Sequence, residues 1–458
     1  MPAHPASYRD PAGQVHIRDG RVLRTVRPAG LANYQAARAS GFLAEAVAAG
    51  KLIAGEEVDR GLLADEAPDA KLVIEHPRLR FVSYPYEWSF PALRDAALLT
   101  LDLHLEALAN GLSLSDASAY NIQFVGAKPV FIDYLSLIEY QPGQVWLGYR
   151  QFCEQFLNPL LLTAKTGVPF QPLYRGTMEG ISSPDLRALL PLRARLDPRV
   201  ALHVSLQARL QRRVSDRGTE RAREIRLSQN GLKTNLASMR SWVAGLEPPG
   251  SQVTPWQDYE RSASYSPEER ERKHQFVGEL VAAVSPLLVW DIGCNAGEYS
   301  EVALAHGAEM VIGFEPDAGA QNAAYRRARE RSLSFLPLAV DVANPSPSMG
   351  WRERERDGLA GRGRPDLILA LALIHHLILG RNLPMAEVVR WLASLAPHGV
   401  IEFVPKTDPM AARLLAMKPD IAPEYSLEGF EAALRRCADV IGREQVTATG
   451  RVLFAFGR

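Results

Sequence analysis

Asp291, Gly293 and Gly297 lie in the run Leu288-Val-Trp-Asp-Ile-Gly-Cys-Asn-Ala-Gly-Glu-Tyr-Ser300, where an apolar segment meets an acid, a glycine turn and a helix start. The two glycines let the backbone turn sharply and approach a ligand. A helix opening near Gly297 aims N–H groups into that turn. In a dinucleotide fold the strand enters the turn directly and a pyrophosphate fills it. Asp291 would repel a pyrophosphate and attract a cation, so the pocket suits S-adenosylmethionine, whose sulfonium and ammonium are both positive. Cys294 and Asn295 line the same turn.

Glu315 closes a second apolar run, Met310-Val-Ile-Gly-Phe-Glu, 24 residues after Asp291, and is placed to accept both ribose hydroxyls of a nucleoside. Asp341 follows a third run, Ser334–Val340, within reach of an adenine edge. His375 and His376 follow a fourth, Pro365–Ile374. Methyl transfer is an in-line displacement that depends on alignment, but an oxygen acceptor must also lose a proton, and histidine suits that transfer near neutral pH. One of the two imidazoles is expected to pack structurally, and His375 is read as the pocket-facing one. Glu402, the Pro405-Lys406 turn and Asp408 follow or end a fifth run, Gly399–Val404, and could line the acceptor side.

These groups need elements that gather them at one edge. Five apolar runs alternating with helical stretches, the amphipathic Pro384–Leu395 among them, argue for an α/β doubly wound sheet with its ligand at the strand C-termini. Ala438–Gly442 and Arg451–Phe456 read as a closing hairpin, bringing the sheet to seven strands.

On Asp291, Gly293, Gly297, Glu315, Asp341 and the Ile-His-His-Leu run, the C-terminal half resembles a class I S-adenosylmethionine-dependent methyltransferase. The resemblance implies a Rossmann-like sheet, with methionine over the glycine turn and ribose on the second-strand acid. Asn295 departs from the middle glycine usual there, and asparagine tolerates a left-handed backbone better than most residues. In such enzymes the segment before the first strand often lids the cofactor. Tyr259 and Tyr265 could therefore cover the methionine or lie near the sulfonium as a cation–π contact, or could pack a lid helix onto the core. Ser266 before Pro267 reads as the N-cap of that helix. The Asn/Asp-Pro-Pro-Tyr signature of adenine or amide nitrogen methylation is absent after the fourth strand, which leans towards an oxygen acceptor.

The N-terminal half carries a second constellation. Asp116, Asn121 and Asp133 sit in Leu114-Ser-Asp-Ala-Ser-Ala-Tyr-Asn-Ile-Gln-Phe-Val-Gly-Ala-Lys-Pro-Val-Phe-Ile-Asp-Tyr134. Asp and Asn five apart, a short hairpin and an Asp after an apolar strand resemble the catalytic loop and metal-binding acid of kinase-like phosphotransferases. The resemblance implies an α+β kinase-like domain in which Asp116 positions an acceptor hydroxyl while Asn121 and Asp133 hold magnesium. Arg80–Trp88 reads as a strand entering a hinge, followed by a helix over Pro91–Ala109. No glycine-rich loop precedes the hairpin Val15–Val26, Tyr134-Leu135 replaces Phe-Gly, and Arg24 stands near where a phosphate-binding lysine is expected. A degenerate kinase is therefore favoured over an active one, and no metal is expected unless the domain is active. In a second reading these acids and Asn121 are turn and cap residues.

The whole two-part chain is similar to bacterial nodulation host-specificity methyltransferases, which implies a small-molecule or carbohydrate acceptor. Gly245-Leu-Glu-Pro-Pro-Gly-Ser251 is the best linker candidate. The expected organisation is a kinase-like domain over 1–235, a linker and lid over 236–265 and the methyltransferase over 266–458. Lys plus Arg and Asp plus Glu both number 52, so no general attraction to nucleic acid or anionic membrane follows. Arginines crowd locally from Arg209 to Arg226, either as a salt-bridged helical face or as a dock for an anionic partner. Cys153, Cys294 and Cys437 are far apart and read as reduced thiols. With no apolar leader at Met1–Ser7, the expected location is the cytoplasm. Two further readings stay open: phosphotransfer coupled to methylation, and a cofactor-binding scaffold whose N-terminal half holds a protein partner.

Overall fold

The structure is a computed structural model that describes residues 3–206, 228–249, 265–416 and 422–458. It divides into two compact units, Met1–Ser251 with Ser346–Gly361, and Gln252–Pro345 with Arg362–Arg458. Tyr259 and the arginine run Arg209–Arg226 lie outside the described residues.

The first unit opens on a hairpin of β1 (Val15–Arg18) and β2 (Arg21–Val26). Asp19 and Gly20 make its turn with φ of 50° and 79°, the positive pair that matches strand twist in a two-residue connection. With β3 (Glu56–Val58) and β4 (Leu72–His76) they form an antiparallel sheet of order β1-β2-β4-β3. The strand expected over Arg80–Trp88 is corrected: the ladder ends at His76, Pro77 follows, and Pro85–Glu87 is a short 3-10 turn. Proline has no N–H to give a ladder, and Tyr84, Tyr86 and Trp88 are buried from irregular backbone instead.

Helix Phe90–Ala109 is capped by the Ser89 hydroxyl, which accepts Ala92 N–H at 3.2 Å, and it buries Leu93, Ala96, Ala97, Leu101 and Leu108. Its apolar faces are too broad for a surface helix, which places it at the centre of the unit. Beyond it come β5 (Leu112–Leu114), β6 (Ile122–Val125), β7 (Lys128–Phe131) and β8 (Leu137–Glu139), paired as the ribbons β5-β8 and β6-β7.

Two expected boundaries are corrected here. A break at 235 would cut helix Gln229–Ala244, which buries Leu232, Leu236, Met239 and Trp242 and pairs Arg240 with Asp102 of the central helix. The first unit therefore runs on to Ser251. Ser346–Gly361, inside the span 266–458 expected to be methyltransferase, belongs to this unit as a strap. Glu355 of the strap takes two bonds from Arg9, at 2.8 and 3.0 Å. The Tyr84 hydroxyl accepts Asp357 N–H at 2.8 Å, and the Arg356 guanidinium lies 4.3 Å from the centre of the Tyr120 ring.

The second unit holds β9 (Val289–Ile292), β10 (Val311–Phe314), β11 (Phe335–Leu338), β12 (Leu367–Ala370), β13 (His398–Phe403), β14 (Asp439–Gln445) and β15 (Val452–Gly457). Their order is β11-β10-β9-β12-β13-β15-β14. The first five are parallel, and β15 runs antiparallel to both β13 and β14. Every residue of β9 to β12 is buried, as strands covered by helices on both faces require. Strand order reverses between β9 and β12, so a crevice opens at their C-terminal ends. Helix Pro267–Val284 begins as expected at Ser266, with Glu269 completing a capping box. Among the described residues no helix is long and apolar enough to cross a membrane.

Candidate cofactor and acceptor site

The β9 turn puts three residues in left-handed backbone: Gly293 at φ 81°, Asn295 at 48° and Gly297 at 85°. Asn295 takes the strain that a glycine would avoid, and its own side-chain oxygen accepts Ala296 N–H at 2.7 Å. At Gly297 a side chain is doubly excluded, since a Cβ would lie 2.5 Å from the Phe335 ring. Gly297→Ala is expected to cost about 2–4 kcal/mol from backbone strain and overpacking together. Urea unfolding checks this, and a loss under roughly 0.5 kcal/mol would show that the turn relaxes freely.

Asp291 is almost wholly buried and accepts the Ser300 hydroxyl at 2.6 Å. The Ser300 backbone N–H also points to it, so part of the helix N-terminus expected to face a ligand is turned onto Asp291 instead. Burial raises its carboxyl to about 6, against the pull of Ser300 and Lys273. Glu315, one strand over, is 8% exposed and accepts Asn295 N–H at 3.0 Å and Asp317 N–H at 2.8 Å. It thereby ties the glycine turn to the end of β10, and burial raises it to about 7. Cys294 is buried in the turn, its thiol pushed well up by burial and by both acids, so it packs as an inert group. Asp341, three residues past β11, pairs with Arg381 at 3.0 Å and accepts Ala343 N–H.

β12 delivers the second half of the site. Ala372 adopts φ 48°, and its N–H donates to Glu402 at 2.9 Å. His375, read as the pocket-facing imidazole, is wholly buried, and neither ring nitrogen has a hydrogen-bond partner among the described residues. His376 is only partly buried, with its ring centre 4.1 Å from that of His375. Burial, then the nearby Arg451, brings His376 to about 4, while burial with both of these neighbours drives His375 far below the usual range. Both rings are neutral at pH 7, able to accept a hydrogen bond but weak as bases. The residues that follow, His376–Gly380, form a π-helical turn, a feature frequent at functional sites.

Glu402 and Asp408, expected beside the acceptor, are fully buried and paired with cations. Asp408 holds Arg451 through two bonds, at 2.8 and 3.1 Å. Glu402 takes Lys273 at 2.7 Å and the Tyr265 hydroxyl. Tyr265 was expected over the cofactor or packing the lid helix onto the core; its ring faces Lys273 at 4.8 Å and Arg451 at 4.7 Å. Lys273 and Arg451 escaped the sequence reading, although a signal existed for the first. Lys273 falls in helical register with the buried Val277 and Val281, and a lysine on an apolar face implies a buried partner.

In the first unit Arg24 reaches Asp10 at 2.5 Å and Asp133 at 2.7 Å. Asp133 also caps Leu135 N–H at 3.0 Å and accepts the Ser136 hydroxyl, while Asn121 donates to that hydroxyl oxygen at 3.3 Å. Asp116 closes a local turn by accepting Ser118 N–H at 2.8 Å. Asp116 and Asp133 accept local backbone N–H groups, Asn121 bonds Ser136, and Arg24 pairs with Asp133. Among the described residues no group of three or more His, Cys, Asp or Glu side chains is placed to hold a metal.

A sheet of this order, with an acid-glycine turn ending its first strand and a second acid ending the next, is the class I methyltransferase fold. No family model matches the chain. Nodulation protein NoeA of Rhizobium meliloti (strain 1021) is 42% identical over 457 residues, covering 99% of this chain and 95% of that protein. The chain belongs to the NoeA family of nodulation proteins. Among solved structures, the N-methyltransferase NodS of Bradyrhizobium japonicum WM9 with S-adenosyl-L-homocysteine is 18% identical, covering 45% of this chain and 94% of its own at a TM-score of 0.33. Magnesium protoporphyrin IX methyltransferase of Synechocystis PCC 6803 is 21% identical, over 42% and 85% at 0.30. The bifunctional kinase-methyltransferase WbdD is 17% identical, over 48% of this chain and 46% of its own at 0.31.

Proposed function

We propose that the chain is an S-adenosylmethionine-dependent methyltransferase acting on a small-molecule or carbohydrate acceptor, with an oxygen as the favoured methyl acceptor. One observation carries the cofactor reading: two buried carboxylates end adjacent strands on either side of a left-handed turn, and one of them grips that turn. Asp291 attracts the cationic methionine end, Gly293, Cys294, Asn295 and Gly297 give it backbone to lie on, Glu315 takes the ribose hydroxyls and Asp341 faces the adenine. The cofactor supplies an electrophilic methyl. The protein aligns the acceptor and keeps water out. His375 or His376, both neutral, accepts the hydrogen bond of the acceptor hydroxyl and would take its proton as the O–CH3 bond forms and the S–CH3 bond breaks.

Transfer from carbon-13-methyl S-adenosylmethionine into bacterial extract, read by NMR, tests this directly. An O-methyl signal supports the whole reading, an N-methyl signal overturns the oxygen preference, and no labelled product from cofactor-saturated protein favours the scaffold. The pH dependence has a defined sign. Asp291 and Glu315 are protonated below about 6 and about 7; the cationic methionine end pairs with ionised Asp291, and the ribose hydroxyls donate best to ionised Glu315. Affinity for S-adenosylmethionine is therefore expected to rise about tenfold or more from pH 5 to 7.5, with proton release on binding. A flat profile by calorimetry in two buffers would remove both acids from the cofactor site.

The first unit is proposed to be kinase-like in shape and without phosphotransfer, serving to recruit an acceptor or a protein partner. Arg24 on Asp133 supports this, since that acid already holds a cation, which it shares with Asp10. Magnesium-dependent ATP binding that is lost in Asp133→Ala would reverse the assignment in favour of the bifunctional reading.

A further inference from the structure

We infer that Glu402 is a positioning residue that locks the acceptor loop after β12 to the helix preceding β9. The inference rests on the cofactor reading above and adds a coupling between the two halves of the site. Glu402 is fully buried at the C-terminal end of β13, and three hydrogen-bond donors and a further cation, from three segments, converge on it. Tyr265 gives its hydroxyl, helix Pro267–Val284 gives Lys273 Nζ at 2.7 Å, the β12 loop gives Ala372 N–H at 2.9 Å, and β15 brings Arg451 Nη1 to 3.6 Å.

A carboxylate offers about four lone-pair sites; three hydrogen bonds occupy Glu402 and Arg451 lies against it, so the proposal gives it a positioning role and not the acceptor-binding role its place at the strand end first suggests. What it controls is Ala372. A non-glycine residue at φ 48° costs free energy and persists only where its surroundings hold it. Here Ala372 N–H donates to Glu402 Oε2, a bond that fixes the backbone at this residue. Three residues further on, the same loop presents His375 and His376. The other donors, Tyr265 on Oε1 and Lys273 on the same Oε2, belong to the segment entering β9, and Lys273 also lies 4.6 Å over the ring of Tyr299 in the first turn after Gly297. One anion thus ties the imidazole loop to the flank of the cofactor turn.

Hydrogen exchange of the full-length protein, resolved over 370–377, tests this beside calorimetry with S-adenosylmethionine and urea unfolding. In the native protein the Ala372 amide is expected to exchange at least about 100-fold more slowly than an open loop. Free exchange there would overturn the proposal without any variant. Glu402→Gln keeps an oxygen for Ala372 and is expected to hold exchange within threefold of native. The paired change Lys273→Met with Glu402→Leu removes both charges together, leaving Arg451 on Asp408, so the fold is retained. Exchange over 372–376 is then expected to rise at least tenfold, with cofactor affinity within threefold of native. Unchanged exchange in the paired variant would overturn the inference. So would a loss of cofactor affinity as large as that of Asp291→Ala, which would place Glu402 in the cofactor site. If the native protein binds no cofactor, the methyltransferase reading fails while the exchange results still judge the positioning role.

Discussion

Asp291→Ala is expected to weaken S-adenosylmethionine binding at least about 100-fold, or ~2.7 kcal/mol, without lowering the stability of the free protein at pH 7.5. The two halves of that expectation share one cause. Asp291 is buried at the end of a parallel strand, and burial raises its carboxyl to about 6. An acid raised in the folded state stabilises below its unfolded value near 4, and that contribution is lost as pH rises through about 6. At pH 7.5 the ionised group therefore costs the free protein on the order of 3 kcal/mol. A cationic ligand recovers that cost by pairing with it. Removing the carboxylate removes the attraction and the cost together, leaving only the Ser300 hydroxyl to find another partner. Asp291→Asn, which keeps the shape, should behave alike in binding. Native-like affinity in either variant, measured by titration, would mean that the turn holds no cation.

The largest effect on stability is expected at Arg451→Met, a loss of about 3–5 kcal/mol. Arg451 is fully buried, pairs with Asp408 through two nitrogens and gives a third bond of 2.6 Å to the Tyr265 hydroxyl. Methionine fills most of the volume, so the loss is electrostatic: Asp408 keeps only its contact with Met410 N–H among the bonds described for it, and Glu402 loses a second cation. Replacing Asp408 as well, by Asn, should return part of the loss because no buried charge is then left alone. Urea midpoints for the single and paired variants decide it. Equal losses in both would show that Arg451 acts by packing and not by charge.

The turn after β9 was legible because it is local. Asp291, Gly293 and Gly297 lie within seven consecutive positions, and the acid at the end of each of the first two strands follows directly from strand length and the glycine turn. Alternating apolar runs were enough for the doubly wound sheet, and the order in which they pair conforms to it. What was not legible is set by distant partners. Nothing near Ser346–Gly361 shows that this stretch packs in the unit of Arg9 and Tyr84, more than 250 positions away. Tyr265 read as an aromatic over a ligand because its two cations, Lys273 and Arg451, lie eight and 186 positions further on. His375 and His376 are adjacent in sequence, and only the backbone after Ala372 decides which ring is buried. Asp133 resembled a metal ligand until Arg24 was seen to occupy that side.

The most direct test is calorimetric titration of the purified full-length protein with S-adenosylmethionine at pH 7.5, run beside ATP with magnesium. One-site micromolar binding of the cofactor, with no heat from ATP, is the predicted result. No binding of S-adenosylmethionine, or binding untouched by Asp291→Ala, would contradict the assignment of the site.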